Sequence, residues 1–192
     1  MKQRLAVSES KVEVLEAEYV AGRKENAAQE AELAVLKTRL AATETQVEHL
    51  EKEIKEAPKV AFSAALTNSW FIESGDNDLN LVFSRVITNV GESYSSTSGF
   101  FTAPVRGVYY FRFTVMDKLS SRYMDIRMHK NGQQLMWLYE YDTDGHETYL
   151  SSGLTLQLEE GDVVNMVLPA GRRLYDSINN HSIFSGFLLF PL

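Results

Sequence analysis

The sequence contains no cysteine among its 192 residues, which excludes disulfide frameworks, thiolate metal sites and cysteine nucleophiles. It has no run of about 20 apolar residues, the length that a helix needs to cross a bilayer, so we expect no membrane insertion. The formal net charge of -7 argues against a nucleic-acid partner, because such partners require a basic surface. The first residues also lack the apolar segment of a signal peptide.

Aromatics, glycine and proline are scarce in residues 1–57. This part holds one of the 21 aromatic residues (Tyr19), one of the 11 glycines (Gly22) and no proline. It is rich in Glu, Ala, Leu and Lys, which favour helices. Pro58 ends this pattern, because proline cannot donate a backbone hydrogen bond and disfavours helical geometry at the residue before it. We therefore predict an α-helical stalk over residues 1–57 and a globular domain over residues 58–192.

The stalk carries a seven-residue repeat of apolar side chains. Of the eight residues spaced by seven from Leu5 to Ile54, seven are apolar, whereas the second core position of each heptad is more mixed. Such a repeat keeps one seam of the helix facing a partner and gives a left-handed supercoil. We assign oligomerisation to Leu5, Val12, Leu15, Asn26, Leu33, Leu36, Leu40, Val47, Leu50 and Ile54.

The charges beside this seam favour a parallel coiled coil. In a parallel pair, each g residue meets the e residue of the next heptad on the partner, and five of the seven such pairs are opposite in sign. Lys11 with Glu16 is one of them, and only Glu25 with Glu30 is repulsive. Asn26 in the core fixes the register and lowers the stability. The core residues are too mixed to set the number of helices.

The globular domain shows the alternation of apolar and polar residues that is typical of strands. Residues 108–115 and 124–128 alternate in this way, and the second run leads into an Asn131-Gly132 pair that favours a tight hairpin turn. Further strands are predicted at residues 154–158, 163–168 and 184–190. Without a long helical pattern, this domain is predicted to be a mainly β sandwich or jelly roll.

Eight residues of this domain follow the spacing F-x5-N-x4-Y-x6-F-x5-G-x-Y-x-F-x-F. They are Phe83, Asn89, Tyr94, Phe101, Gly107, Tyr109, Phe111 and Phe113. All eight match the signature of the complement C1q globular-head family, which this domain resembles over about residues 59–192. The resemblance is closest to the cerebellin-like and complement C1q-like members, which are secreted.

This resemblance implies a ten-stranded jelly roll that packs as a compact trimer, with the signature residues in the core and in the trimer interface. Together with the parallel heptads, it predicts a parallel homotrimer. The sequence departs from the family in two respects. It has no Gly-X-Y triplets, so a coiled coil takes the place of a collagen stalk, and it lacks the N-terminal cysteines that link cerebellin trimers.

Familiar catalytic patterns are missing from the sequence. The four histidines His49, His129, His146 and His181 are scattered and do not form an H-E-x-x-H motif. There is no G-x-S-x-G motif, no P-loop and no G-x-G-x-x-G motif. We therefore expect no catalytic residues, no enzymatic activity and no required cofactor.

Calcium is the one cofactor that the sequence suggests. Asp142 and Asp144 have the alternate spacing of calcium-binding loops, but Gly153 stands where a helix-loop-helix site needs its bidentate glutamate. Some C1q-like proteins bind calcium through loop carboxylates at the trimer apex, and the resemblance implies a similar position for these two residues. A solvated turn is the alternative, and the spacing alone does not decide between them.

Two further candidate sites lie near the C-terminus. Arg172 and Arg173 are adjacent, and paired guanidinium groups suit carboxylate, sulfate or sialic-type ligands, although a charged solubilising loop is the simpler explanation. Asn180 begins an Asn-His-Ser glycosylation sequon, which has meaning only in a secreted chain.

These observations favour a non-enzymatic, multivalent protein that recognises extracellular targets. The resemblance implies glycans or lipopolysaccharide as partners for innate-immune members, and cell-surface protein receptors for cerebellin-like members. One alternative is a signalling ligand of the tumour-necrosis-factor type that binds receptors in the grooves between subunits. Another is an intracellular scaffold, which fits the absence of a signal peptide and of cysteine.

Overall fold

The computed structural model describes the backbone of residues 2–118 and 122–192, and the side chains in these ranges from residue 8 onward. The chain divides into two compact units, Met1–Ala57 and Pro58–Leu192. We call the second unit the head. The Leu5 side chain, which we assigned to the heptad seam, lies outside the described residues.

The first unit is a single helix, α1, from Lys2 to Glu56, with a length of about 80 Å at 1.5 Å per residue. It ends where the sequence predicts, immediately before Ala57 and Pro58. The described seam residues are all exposed in the single chain, with Val12 at 50%, Leu36 at 51% and Ile54 at 70%. No segment of α1 within the described residues is long and apolar enough to cross a membrane.

The head is a jelly-roll-like sandwich of two antiparallel sheets. The first sheet has the order β2-β11-β6-β12-β1-β4, with β9 also paired to β6, and the second has the order β3-β10-β7-β8, with β5 paired to β10. The strands are β1 Ala61–Ala65, β2 Trp70–Glu73, β3 Leu79–Asn80, β4 Arg85–Val90, β5 Phe101–Thr102, β6 Gly107–Lys118, β7 Tyr123–Lys130, β8 Gln133–Tyr141, β9 Glu147–Leu158, β10 Val163–Leu168, β11 Arg173–Asp176 and β12 Ile183–Pro191.

The described residues form twelve strands, so the expected number of ten is corrected. Short segments raise the count: β2 and β11 pair with each other over four residues at one edge of the first sheet. The strands predicted within β6, β7, β9, β10 and β12 are confirmed. So is the hairpin turn, in which Asn131 and Gly132 have φ angles of 51° and 77° and join β7 to β8.

The signature residues form the centre of the head. Seven of the eight are buried, and only Asn89 is partly exposed. Phe62 stacks on Tyr94 with ring centroids 4.7 Å apart, and Phe101 meets Phe111 edge to face at 5.0 Å. This close packing of rings explains why the spacing predicts a core rather than a ligand site.

Two signature residues also satisfy buried backbone groups. The Tyr94 hydroxyl accepts a hydrogen bond from the Phe83 N–H at 3.0 Å and donates one to the Phe83 carbonyl at 3.2 Å. The Asn89 side-chain amide donates to the Tyr94 carbonyl at 2.9 Å and accepts from the Tyr94 N–H at 3.3 Å. These hydrogen bonds thus join the two ends of the segment 83–94, which includes β4.

The strand register defines the two ends of the sandwich. The start of β6, the end of β9 and the end of β12 lie together, since Gly107 is paired with both Leu158 and Pro191. The chain enters the head near this end, because Ala61 at the start of β1 pairs with Phe187 near the end of β12. We call the opposite end, where β6 ends and β7 begins, the distal end.

Candidate functional site

The two predicted calcium ligands lie in the loop between β8 and β9 at the distal end. The Asp142 carboxylate is buried and accepts a hydrogen bond from the Gly145 N–H at 3.0 Å, and Asp144 accepts one from the His146 N–H at 3.1 Å. The second hydrogen bond lowers the pKa of Asp144. Within the described residues of one chain, no group of three His, Asp or Glu residues comes together to hold a metal ion. Calcium binding stays a prediction.

Arg172 and Arg173 are held in two separate ion pairs. Arg172 donates through Nε to Asp125 in β7, a residue that is only 3% exposed. Arg173 donates through Nε to both oxygens of the fully buried Asp117 in β6, at 3.2 and 3.3 Å. Burial raises the pKa of Asp117, and the hydrogen bond from Arg173 opposes this rise. The two guanidinium groups therefore do not form one bidentate site, and a ligand role for either stays a prediction.

Asn180 lies in the turn that precedes β12. Its backbone φ is 57°, its N–H donates to the Ser177 carbonyl at 3.1 Å, and its side-chain oxygen is buried without a hydrogen-bond partner. The third residue of the sequon, Ser182, is fully buried and donates to the Tyr175 carbonyl. These contacts show a sequon built into a folded turn, and its glycosylation stays a prediction.

A row of exposed aromatic side chains, which the sequence patterns do not predict, lies on the outer surface of the second sheet. Tyr123 of β7 is paired with Tyr141 of β8, and Trp137 and Tyr139 follow on the same surface of β8. All four are between 45% and 59% exposed. We call these four residues the aromatic face. A signal for it was available, because the Asn131-Gly132 turn requires a partner strand, and alternate residues of that strand are aromatic.

A cleft of about 270 Å³ opens on this surface toward the distal end. Its lining combines three aromatic rings with one ion pair: Tyr123, Asp125, Trp137, Tyr139 and Arg172. The Arg172 guanidinium lies 5.6 Å from the centre of the Tyr123 ring, and the rings of Trp137 and Tyr139 are 5.3 Å apart. The cleft therefore offers apolar ring faces beside charged hydrogen-bonding groups.

A second basic side chain lies over one of the rings that line the cleft. The Arg127 guanidinium lies 5.3 Å from the centre of the Trp137 ring and donates to Asp78 at 2.7 Å. Two arginines near the cleft are thus each paired with an aspartate, and each contacts an aromatic ring. This arrangement fixes the rings and leaves the surroundings of the cleft without a large net charge.

The head matches the C1q domain over residues 61–189, about two thirds of the chain. The chain belongs to the C1q domain family. It is 37% identical over 140 residues to a complement C1q subcomponent of Bos taurus, and the match covers 72% of this chain and 55% of that protein. It is 32% identical over 132 residues to complement C1q tumor necrosis factor-related protein 3 of Mus musculus, covering 69% of this chain and 52% of that protein. The chain spans about half the length of these curated relatives.

Solved structures agree with this C1q fold. The globular domain of zebrafish complement 1qA protein has a TM-score of 0.54 and 20% identity, covering 70% of this chain and 99% of that one. Murine APRIL at pH 5.0 has a TM-score of 0.56 and 12% identity, covering 68% and 99%. Eiger TNF from S. frugiperda has a TM-score of 0.58 and 14% identity, covering 70% and 95%. At these identities the likeness shows a shared fold only.

Proposed function

We propose that this C1q-family chain is a secreted, non-enzymatic, parallel homotrimeric protein that recognises extracellular targets through several heads at once. The observation that carries the proposal is the combination of a C1q head with a 55-residue helix whose apolar heptad seam is exposed in the single chain. The proposed targets are glycans, lipopolysaccharide or cell-surface protein receptors.

The exposed seam is the main support for self-association. A helix in water gains most of its stability from packing an apolar face, and α1 makes no such contact within its own unit. Leu33, Leu40 and Val47 lie along the seam and are 51%, 58% and 48% exposed. Burying these side chains between parallel helices removes apolar surface from water and matches the charge pairs that flank the seam.

The head offers a second surface for the same assembly. On the outer side of the first sheet, Phe187 is 42% exposed and its ring lies 5.7 Å from that of Tyr110, with which it is paired across β12 and β6. Tyr149 of β9 is 48% exposed on the same sheet. Large apolar side chains that are exposed on one sheet favour contact between subunits.

Trimerisation compensates for weak binding by each single head. Linked sites raise the apparent affinity by about 10² to 10⁴ when they engage one surface together, because later binding events become intramolecular. The distal end of each head, which lies away from the residues where the chain enters, is the surface proposed to meet the target. Calcium held by Asp142 and Asp144 of neighbouring subunits belongs to this proposal as an accessory ion.

A sensor coated with lipopolysaccharide at dense and sparse coverage tests multivalent recognition. The full chain should dissociate at least about 100-fold more slowly from the dense coating, where several heads engage together. Leu40→Pro, which interrupts the seam, should reduce this difference, whereas Leu40→Met keeps it. Equal dissociation rates at both densities, or no binding to either coating, would count against recognition of this target by several heads.

A further inference from the structure

The cleft on the aromatic face has the size of a site for one small ring. Its volume of about 270 Å³ lies just below the range of about 300–1,000 Å³ that holds drug-sized ligands. A stable protein complex buries about 800 Å² of surface on each partner, which is a much larger contact area than the walls of this cleft provide. The dimensions therefore favour one terminal or internal ring of a longer molecule.

The charges around the cleft do not favour a cationic ligand. Three aromatic rings near a carboxylate are typical of sites for quaternary ammonium groups. Here, however, Arg172 already pairs with Asp125 and contacts Tyr123, and Arg127 pairs with Asp78 and contacts Trp137. Each of the two carboxylates is therefore already neutralised by a guanidinium group, so neither attracts a further cation. The balanced ion pairs favour a neutral ligand.

The polar groups in the cleft match the edge of a sugar ring. Within the described residues, the Arg172 side chain donates from Nε to Asp125, and its terminal nitrogens are available as donors to a ligand. A pyranose presents hydroxyl groups around its edge and C–H bonds on its face. The C–H bonds suit the negative ring faces of Trp137 and Tyr139, and the hydroxyl oxygens suit the guanidinium.

The cleft is also preorganised. The ion pair with the nearly buried Asp125 holds Arg172, and Arg127 holds the Trp137 ring from one side. Little side-chain freedom is lost when a ligand binds such a site, which favours measurable affinity for a small ligand. We propose that this cleft binds a neutral pyranose ring of a glycan. The inference rests on the proposed recognition function, because it names the ligand class of the same head.

Tryptophan fluorescence tests the proposal directly. The chain has two tryptophans, Trp70 and Trp137, so the full chain carrying Trp70→Phe reports on the cleft alone. We would titrate it with the methyl glycosides of mannose, glucose, galactose and N-acetylglucosamine. At least one should give a saturable change with a Kd of about 1 mM, as expected for a ligand of this size.

Two further variants in the same background locate the binding site. Tyr139→Ala removes an exposed ring from the cleft and should weaken binding at least tenfold. Phe190→Ala removes a similarly exposed ring from the end of β12, away from the cleft, and should leave binding unchanged. Circular dichroism of both variants checks that they keep the β fold.

Three results would overturn the proposal. The first is no saturable change with any of the four glycosides, and the second is a change that Tyr139→Ala leaves intact. The third is a lower sedimentation mass of Tyr139→Ala, which would identify the aromatic face as a contact between copies of this chain. A methyl glycoside binds one cleft at a time, so this titration tests the cleft independently of the trimer. Trimeric recognition is tested separately, by dissociation from the coated sensor and by the sedimentation mass of the chain.

Discussion

Tyr94→Phe removes one oxygen atom and should destabilise the head strongly. The hydroxyl is bonded to both the N–H and the carbonyl of Phe83, at 3.0 and 3.2 Å, and both residues are at most 3% exposed. Two hydrogen bonds are worth about 1 kcal/mol each, and the buried N–H left without a partner adds about 1–2 kcal/mol. We therefore expect the free energy of unfolding to fall by about 3–4 kcal/mol.

The effect of Tyr94→Phe on stability should also depend on pH in the alkaline range. Burial raises the pKa of Tyr94 to about 12, whereas a tyrosine in the unfolded chain titrates near 10. Because the folded pKa is the higher one, the stability that Tyr94 contributes is fully present below pH 10 and is lost as the pH rises toward 12. The stability difference between the wild-type chain and Tyr94→Phe should therefore shrink over this window.

Urea unfolding at a fixed protein concentration, followed by near-ultraviolet circular dichroism, measures both effects. Tyr139→Phe is the matched control, because it removes a hydroxyl from a side chain that is 59% exposed. It should change the free energy of unfolding by less than about 0.5 kcal/mol. An equally small effect of Tyr94→Phe would refute the reasoning, since the buried backbone groups of Phe83 would then not depend on this hydroxyl.

Three other predictions concern individual sites. Gly186→Ala should destabilise the head by about 1–3 kcal/mol in urea unfolding, because its Cβ would lie 2.5 Å from Phe111 and 2.8 Å from Phe62. Gly22→Ala should not destabilise the head, because its Cβ would meet no atom within 4 Å. Equal losses of unfolding free energy in the two variants would contradict the steric argument for Gly186. Hydrogen bonds from Lys130, Asn131 and the Glu159 N–H lower the pKa of Asp162 to about 2, below its unfolded value. Its contribution, about 1 kcal/mol after allowance for solvent screening, is thus present above about pH 4 and is lost as the pH falls toward 2. The stability gap between wild type and Asp162→Asn should close over that range, and a constant gap would argue against the assignment. Calcium should raise the melting temperature with increasing concentration, and Asp144→Ala should abolish the rise; no rise in the wild-type chain would end the calcium hypothesis.

Local patterns predicted most of the framework of the head. β10 was located at residues 163–168, and the Asn131-Gly132 turn was placed correctly because both residues tolerate positive φ. β8 was missed because it is apolar on both sides. Met136 and Leu138 pack against the core, whereas Trp137 and Tyr139 are exposed, so no alternation of polarity marks it.

The candidate site could not be predicted from local patterns. The cleft depends on the contact between Arg172 and Asp125, which are 47 residues apart in the chain. Adjacent arginines suggested one shared ligand, but residues 172 and 173 reach aspartates in different sheets. Only the packing of β7 beside the β10–β11 loop brings the first of these pairs to the aromatic rings. Sequence spacing alone carries no such information.

The mass of the full chain in sedimentation equilibrium tests the central claim of trimeric recognition most directly. The account predicts three times 21.7 kDa, with and without a calcium chelator, and a lower mass or a loss of helical signal for Leu40→Pro. A wild-type mass of 21.7 kDa would contradict it, because the heptad seam and the exposed surface of the first sheet would then have no partner.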